Sequence, residues 1–241
     1  MQGKRFPLIL GLALSAFALV WVPTPAGATT PTCFGQPATI VGSGNISGTK
    51  NADVIVGSSG PDFIDGRGGD DLICALGGSD IMYAGNGNDE VDGGGGPDLL
   101  NGDRGTDLLL GKAGDDEFND GSGDDSIRGG SGTDIVEFGS GIDPSCHIAV
   151  DLVAGSAAGP CFGQNILSDI ENVSGSPGDD TITGDDGPNE LSGGGGADTI
   201  YGLGGDDFLN GQGNSQTGDY GDGGDGFDSC INFDTTVNCE A

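Results

Sequence analysis

A nine-residue repeat runs without insertion or deletion from Gly48 to Glu137 and divides this part of the chain into ten consecutive units. The sixth residue of every unit is Asp, the fourth is Gly in all units but the first, and the eighth is apolar. The aligned aspartates are Asp53, Asp62, Asp71, Asp80, Asp89, Asp98, Asp107, Asp116, Asp125 and Asp134. The apolar residues two places later are Ile55, Ile64, Ile73, Met82, Val91, Leu100, Leu109, Phe118, Ile127 and Val136. The content of 52 Gly and 11 Pro among 241 residues would suit a disordered chain, but disorder keeps no register, so the repeat excludes it for this block.

The period returns after residue 174, in a second block whose first sixth positions are Asp180, Asn189, Asp198 and Asp207. The next stretch is degenerate, with three extra residues and Gln216 where an Asp is expected, and a last regular unit contains Asp228. Between the blocks, Asp134 and Asp180 are 46 residues apart, which is five periods plus one residue. This spacing predicts that the repeat structure continues through residues 138–174 with one bulge.

Each unit predicts a turn followed by a very short strand. The Gly-Gly-x-Gly-x-Asp half suits a turn, because Gly tolerates positive φ and Asp favours turns. The remaining three residues make a minimal strand whose central apolar side chain points to one face. Two units therefore predict one coil with a strand on each side, and stacked coils place the aspartates of alternate units in two columns. One column contains Asp53, Asp71, Asp89, Asp107 and Asp125, and the other contains Asp62, Asp80, Asp98, Asp116 and Asp134.

These columns require a counter-ion. Two carboxylates ~5 Å apart repel by about 3 kcal/mol at an effective dielectric constant of ~20. One buried aliphatic side chain per unit contributes roughly 2 kcal/mol, whereas ordering the backbone costs about 1–2 kcal/mol per residue. A divalent cation between adjacent turns resolves both problems. Calcium prefers six to eight oxygen ligands, and magnesium retains its waters. Zinc prefers Cys or His ligands, but the only histidine is His147 and no two of the six cysteines have Cys-x-x-Cys spacing.

The units resemble the RTX, or hemolysin-type, calcium-binding nonapeptide repeats, Gly-Gly-x-Gly-x-Asp-x-U-x, in which U is apolar. The resemblance covers residues 48–137 and 175–231, and residues 138–174 look like the connector found between such arrays. It implies an all-β fold, a parallel β-roll with Ca²⁺ bound in its turns. The metal ligands expected from it are Asp53, Asp62, Asp71, Asp80, Asp89, Asp98, Asp107, Asp116, Asp125, Asp134, Asp180, Asp198, Asp207 and Asp228.

The N-terminus has the pattern of a secretory signal peptide. Lys4 and Arg5 precede an apolar run, and Ala26 to Ala28 supply small residues for cleavage after Ala28. The run is too short for a membrane-spanning helix, so we expect an exported chain without a membrane span. The predicted organisation is a signal peptide at 1–28, an N-terminal cap at 29–47, repeat blocks at 48–137 and 175–231 around a connector at 138–174, and a C-terminal cap at 232–241.

The charge excludes several classes of partner. The sequence has 38 acidic and 7 basic residues and a formal net charge of −31, which becomes about −33 once Lys4 and Arg5 are removed with the signal. So strong an acidic excess argues against binding to nucleic acid or to an anionic membrane surface.

Six cysteines follow the predicted cleavage site, and an even number in an exported chain favours structural disulfides. Fifteen pairings are possible in principle. Proximity in the sequence suggests Cys146–Cys161 and Cys230–Cys239, which leaves Cys33–Cys74.

The inventory of catalytic motifs is thin. The sequence contains no His-Glu-x-x-His motif, and His147 is not accompanied by a Gly-x-Ser-x-Gly nucleophile motif, so we interpret it as a surface or strand histidine. The additional aspartates at the fifth position of some units are interpreted as solvated. They are Asp70, Asp115, Asp124, Asp179 and Asp206.

The sequence therefore predicts a secreted, non-enzymatic protein that binds several Ca²⁺ ions and folds as it binds them. We expect the first block to bind best, because Asn189 and Gln216 weaken the second. Two alternatives stay open. One is an adhesive or structural role in a cell envelope or matrix, with an unidentified protein or glycan partner. The other is an enzyme acting on polysaccharide, with His147 or Asp151 in its active region.

Overall fold

The computed structural model describes residues 30–139, 145–212 and 218–240, and within these ranges every helix or strand element is a β-strand. The predicted signal peptide at 1–28 lies outside the described residues. The strands form two large sheets and one small hairpin. No helix in the described ranges is long and apolar enough to cross a bilayer.

Sheet one has ten strands, all paired in parallel. In spatial order its strands are β4 (Asn45–Ser47), β6 (Phe63–Asp65), β8 (Ile81–Tyr83), β10 (Leu99–Asn101), β12 (Glu117–Asn119), β14 (Ile135–Glu137), β18 (Asn172–Ser174), β20 (Glu190–Ser192), β22 (Phe208–Asn210) and β24 (Ser229–Ile231).

Sheet two has thirteen strands and faces sheet one across the core. In spatial order its strands are β3 (Ile40–Val41), β5 (Val54–Val56), β7 (Leu72–Cys74), β9 (Glu90–Gly95), β11 (Leu108–Ala113), β13 (Ser126–Ser131), β17 (Gly163–Ser168), β16 (Ser156–Gly159), β15 (Ala149–Asp151), β19 (Thr181–Thr183), β21 (Thr199–Gly204), β23 (Tyr220–Asp225) and β25 (Thr235–Val237).

The chain alternates between the two sheets, so that successive units of the repeat supply opposite sides of one coil. In sheet two Ile55 lies beside Ile73, and in sheet one Ile64 lies beside Met82. Both pairs are separated by eighteen residues, the length of two units, and the apolar residue of each unit in the first block is at most 1% exposed. The two-unit coil predicted from the nine-residue period and the parallel β-roll implied by the resemblance are both confirmed.

The described residues between 138 and 174 continue the roll, but not with the single bulge that the spacing predicted. Sheet one passes directly from β14 to β18, whereas sheet two gains three strands between β13 and β19. Of these, β17 is parallel to β13, β15 is parallel to β19, and β16 joins them by antiparallel pairing. In this region Phe138 and Phe162 are buried and pack edge to face at a ring-centroid distance of 5.4 Å.

Three disulfides join the pairs that proximity suggested, Cys33–Cys74, Cys146–Cys161 and Cys230–Cys239. The first attaches the hairpin formed by β1 (Thr32–Cys33) and β2 (Gln36–Pro37) to β7. The second lies in the inserted region, and the third ties β24 to the end of the described chain. Each therefore secures a place where the regular coil begins, changes or ends.

Candidate metal centre

The aspartate at the sixth position of each unit ends a turn, and the strand begins at the next residue. Although it is ionisable, this side chain is buried in every unit of the first block and in the regular second-block units that retain it. From the second coil of each block onward, its Oδ1 atom accepts a hydrogen bond from the backbone N–H of the equivalent residue one coil earlier. Asp71 accepts from Asp53 at 2.8 Å, and Asp80 accepts from Asp62 at 2.7 Å. The structure thus brings the predicted columns together as ladders of carboxylates and amides.

The second carboxylate oxygen, Oδ2, has no such partner in most of these turns. A carboxylate oxygen buried without a hydrogen bond is costly, so a set of such atoms calls for a ligand. The aspartates whose Oδ2 is buried and without a hydrogen-bond partner are Asp71, Asp80, Asp89, Asp98, Asp107, Asp116, Asp125, Asp134, Asp198, Asp207 and Asp228.

Burial also changes the acidity of these groups. Burial raises the pKa of Asp71, Asp98, Asp107 and Asp198 to about 7. It raises the pKa of Asp89, Asp125, Asp134 and Asp207 to about 6. The hydrogen bond from the preceding coil opposes this effect, while neighbouring carboxylates reinforce it at most of these positions. Near neutral pH, the folded turns therefore hold negative charge only against an energetic penalty, which a bound cation would remove.

Backbone oxygens lie beside the free carboxylate oxygens. The first residue of a unit is usually Gly, and a Cβ added to Gly93 would lie 2.7 Å from Asp98 Oδ2 and 3.1 Å from the carbonyl oxygen of Gly111 on the next coil. At Gly102, a Cβ would lie 2.9 Å from Asp107 Oδ2 and 2.7 Å from a carbonyl oxygen. Each such turn thus offers carboxylate and carbonyl oxygens together, the donor set of a hard cation such as Ca²⁺.

Within the described ranges, no group of three or more His, Cys, Asp or Glu side chains converges on a point. All six cysteines form disulfides, and the single histidine, His147, is exposed. A zinc site built from nitrogen and sulfur ligands does not fit this arrangement. A site with one or two carboxylates completed by backbone carbonyls does fit it.

Three of the predicted ligands differ from the rest. The Oδ2 atoms of Asp53 and Asp62 accept backbone N–H groups from the second residue of their own turns, Thr49 and Ser58, at 2.7 Å in both cases. Asp180 is bound in the same way by the backbone and side chain of Ser176. Their carboxylates are already satisfied by the protein.

The degenerate part of the second block contains a residue that the sequence did not reveal. Gln216, the expected weak point, lies outside the described residues. Asp219 occupies the column instead, because its Oδ1 accepts the N–H of Asp198 at 3.0 Å across a separation of 21 residues. The eighth-position side chain is missing here, since Gly221 pairs with Ile200, and the ring of Phe233 fills the space. Asp219 could not be recognised from the nine-residue period, because a three-residue insertion shifts it and the apolar residue two places later is missing.

Other side chains extend the columns where the repeat stops. Asn165 accepts the N–H of Asp125 at 2.8 Å, and Glu171 accepts the N–H of Asp134 at 2.8 Å. Glu240 accepts the N–H of Asp228 near the C-terminus. None of these residues keeps the nine-residue phase, so only the fold identifies them.

Asn189 occupies an aspartate position without presenting a free oxygen. Its Nδ2 donates to the carbonyl oxygen of Glu171 at 2.7 Å, and its Oδ1 accepts the N–H of Asp185 at 2.9 Å. The amide therefore closes its own turn.

Asp120 is an acidic residue at the first position of its unit, where Gly or Ala stands elsewhere in the first block. It is fully buried, its Oδ2 accepts Asn165 Nδ2 at 2.9 Å, and its Oδ1 has no partner. Burial, with the neighbouring Asp125 carboxylate, raises the pKa of Asp120 to about 8. The periodic pattern gave no reason to select it.

The fifth-position aspartates are not merely solvated, as the sequence suggested. Each is exposed, yet each accepts a backbone N–H from the next coil: for example, Asp70 accepts from Asn88 at 2.9 Å, and Asp115 accepts from Thr133 at 3.0 Å. Asp124, Asp179 and Asp206 do the same. These exposed hydrogen bonds between successive coils form a second series, which we call the outer ladder. The sequence alone does not reveal it, because the same short polar residues would also suit a solvated surface.

The chain matches the model of one protein family, described as the RTX calcium-binding nonapeptide repeat. The matched segments are residues 47–82, 75–109, 83–118, 110–143 and 174–209, which together cover more than half of the chain. No curated protein matches the chain.

Proposed function

Because the chain belongs to the RTX calcium-binding nonapeptide-repeat family, we propose that it is a secreted, non-catalytic protein that binds several Ca²⁺ ions between its stacked turns. In this proposal residues 48–137 and 175–231 are the binding blocks, and the ions stabilise the folded roll. The observation that carries the proposal is the set of buried carboxylate oxygens without hydrogen-bond partners, beginning at Asp71 and ending at Asp228.

Charge and donor chemistry support calcium in particular. The chain has a formal net charge of −31, and its buried aspartates are crowded along two edges of the roll. The available ligands are oxygen atoms of carboxylates and carbonyls, in a flexible glycine-rich backbone that suits the irregular coordination of Ca²⁺ better than the strict octahedron of Mg²⁺. Each site held at about 100 times its dissociation constant adds about 2.7 kcal/mol to stability. Several sites together therefore make folding depend on the metal.

Secretion is supported by the signal-peptide pattern and by the three disulfides, which persist in oxidising compartments. Extracellular calcium then becomes the trigger for folding after export. Absence of catalysis is supported by the surroundings of the two candidate residues: His147 is exposed, and Asp151 accepts the N–H of Ala154 in a local turn.

The test is a calcium titration of the exhaustively chelated protein, with magnesium as the control cation. Far-UV circular dichroism follows strand formation, and equilibrium dialysis with metal analysis counts the ions. We expect a cooperative transition to β-structure with calcium and none with magnesium at the same concentration. A full β signal in chelator, unchanged by calcium, would overturn the coupling of folding to metal, and a failure to retain any calcium would overturn the function itself.

A further inference from the structure

The turns of the roll adopt two conformations, which differ at the second residue of the unit. In one class this residue has positive φ, as in Leu76 (82°) and Lys112 (80°). The members of this class, which we call open turns, have as their second residue Arg67, Leu76, Gly85, Gly94, Asp103, Lys112, Gly121, Gly130, Gly194, Leu203 and Gly224. In the other class, which we call closed turns, φ of the second residue is not positive. Its members have Thr49, Ser58, Ser176 and Asp185 at this position.

The conformation determines whether the sixth-position side chain is free. In closed turns the N–H of the second residue points at that side chain: Ser58 donates to Asp62 Oδ2 at 2.7 Å, and Asp185 donates to Asn189 Oδ1 at 2.9 Å. In open turns that hydrogen bond is absent, and the N–H of Asp103, for example, donates to Asn101 Oδ1 at 3.0 Å instead. The eleven open turns are the same turns whose Asp Oδ2 is buried without a partner. Among regular units described in full, the correspondence has no exception.

The closed turns also share a side-chain feature. Their second residue is Thr, Ser or Asp, and its side-chain oxygen accepts the backbone N–H of the residue two places later. Thr49 Oγ1 accepts from Asn51 at 3.1 Å, and Asp185 Oδ1 accepts from Gly187 at 2.7 Å. This contact is the local motif by which such residues stabilise turns. Asp103 in an open turn does not make it, because the N–H two residues later, that of Gly105, donates to the carbonyl oxygen of Ser122 at 3.0 Å.

Closed turns occupy one place in the architecture. They belong to the units that start at Gly48 and Gly57 and at Gly175 and Gly184, which are the first two units of each block. Two units form one coil. Each block thus begins with a coil whose carboxylates or amide are satisfied by its own backbone, and the coils with free oxygens follow.

We propose that the second residue of each unit decides whether its turn binds a cation, and that the closed first coil of each block is metal-free. This inference rests on the proposed calcium-binding function and assigns the sites within it. A backbone N–H that donates to Oδ2 occupies the lone pair a cation would use and places a partial positive charge beside it. Asp53, Asp62 and Asp180 are therefore structural residues rather than metal ligands, and the closed coils form a metal-independent edge on which the open coils stack.

Two stacked turns permit a reciprocal exchange. The closed turn of Asp62 and the open turn of Asp80 are neighbours, since Asp62 N–H donates to Asp80 Oδ1 at 2.7 Å. In the closing variant, Leu76→Ser and Gly77→Ser copy the dipeptide of the closed turn. In the opening variant, Ser58→Leu and Ser59→Gly copy that of the open turn. Pro61 can stay in place, because Pro97 holds the same position in an open turn.

The measurement is the number of calcium ions per chain, by equilibrium dialysis and metal analysis at saturating calcium. We expect the closing variant to lose one ion, the opening variant to gain one, and the combined exchange, whose composition is unchanged, to match wild type. Gly77→Ser alone is the matched control and should not change the count, because Ser122 and Ser131 already occupy this third position in open turns.

The outcomes separate this inference from the function on which it rests. If wild type retains calcium but neither exchange alters the ion count, the assignment of sites is wrong and the function stands. If wild type retains no calcium, the function itself is wrong. Far-UV circular dichroism in calcium checks that each variant is folded; should the closing variant not fold, Ser58→Gly, which removes the closing side chain and permits positive φ, must still gain one ion.

Discussion

The backbone N–H of Asp80 donates to Oδ1 of Asp98 at 2.8 Å, while Oδ2 of Asp98 is buried without a partner. The two oxygens of one carboxylate thus have separate roles. One holds adjacent coils together without metal, and the other is available to a cation. Substitutions that change only the second role are therefore possible.

Asp98→Asn is the first such substitution. The Asn Oδ1 can still accept the N–H of Asp80, but the charge and the free carboxylate oxygen are lost. We expect calcium binding at this turn to weaken by about tenfold, which corresponds to ~1.4 kcal/mol, and the calcium midpoint of folding to increase. The measurement is a calcium titration followed by circular dichroism.

Asp70→Asn is the matched control for that substitution. Asp70 is exposed and accepts the N–H of Asn88 in the outer ladder. An Asn can make the same contact, because Asn88 accepts the N–H of Thr106 at 2.9 Å one coil later. The calcium midpoint should stay close to wild type. An equal shift in both variants would mean that general charge, rather than the buried oxygen, governs calcium binding.

The stability of the metal-free protein should depend on pH in a direction opposite to that of most acid-sensitive proteins. Burial raises the pKa of Asp71 and Asp98 to about 7, above the unfolded value of about 3.9. The folded chain then binds more protons than the unfolded chain. The contribution of these protonated carboxyls to the free energy of unfolding is therefore fully present below about pH 4 and is lost as the pH rises through about 7. In chelator at a fixed temperature, the far-UV signal of β-structure should therefore fall as the pH rises from 5 to 8.

With saturating calcium the dependence should reverse over the same range, because protons compete with the metal for the carboxylates. Circular dichroism as a function of pH in chelator, and thermal melts as a function of pH in calcium, give the two curves. A β-structure signal that rises with pH in chelator would contradict the burial of ionisable carboxyls in the metal-free fold.

Asp120→Asn tests the one acidic residue at the first position of a unit in the first block. The Asn side chain retains an acceptor for Asn165 Nδ2 and cannot ionise. Since the pKa of Asp120 is raised to about 8 by burial, wild type carries a neutral group at pH 6 and a penalised charge at pH 9. In chelator, the variant should therefore resemble wild type at pH 6 but lose its β-structure at a higher pH than wild type, as followed by circular dichroism. An effect that does not vary with pH would assign the change to packing.

Leu100→Ala tests the thin core. Leu100 is fully buried between the sheets, and replacing it should lower the free energy of unfolding by about 2–5 kcal/mol in the calcium-loaded protein. Leu99→Ala is the control, because Leu99 is only half-buried and lies on the other face of the same strand. Denaturant unfolding measures both, and equal losses would mean that the inward face does not dominate stability.

Much of the fold could be predicted, because residues at the same position of successive coils occupy equivalent positions in the structure. Two nine-residue units, eighteen residues in all, place Ile64 and Met82 at neighbouring positions of one sheet, and the same spacing places Asp62 and Asp80 in one column. The disulfides were predictable because two pairs are close in sequence and leave one pairing for the rest. These relationships require only the register of the chain.

Contacts that break the register could not be predicted in this way. Asp219 is displaced by an insertion, and Glu171 reaches its column from outside the repeat. The antiparallel strand β16 widens one sheet and not the other, which a count of residues between Asp134 and Asp180 does not reveal. Each depends on where a loop returns in three dimensions.

The sequence by itself determined the all-β coil, its inward apolar residue and the two columns of aspartates, because these follow from local turn preferences repeated at a constant interval. Only the tertiary structure decided which carboxylate oxygens are free. A carboxylate oxygen is free or satisfied according to the direction of one backbone N–H in its turn, and this direction follows the φ of the second residue of the unit. For this reason Oδ2 of Asp62 is hydrogen-bonded and Oδ2 of Asp80 is free, although both residues occupy the same position of the repeat.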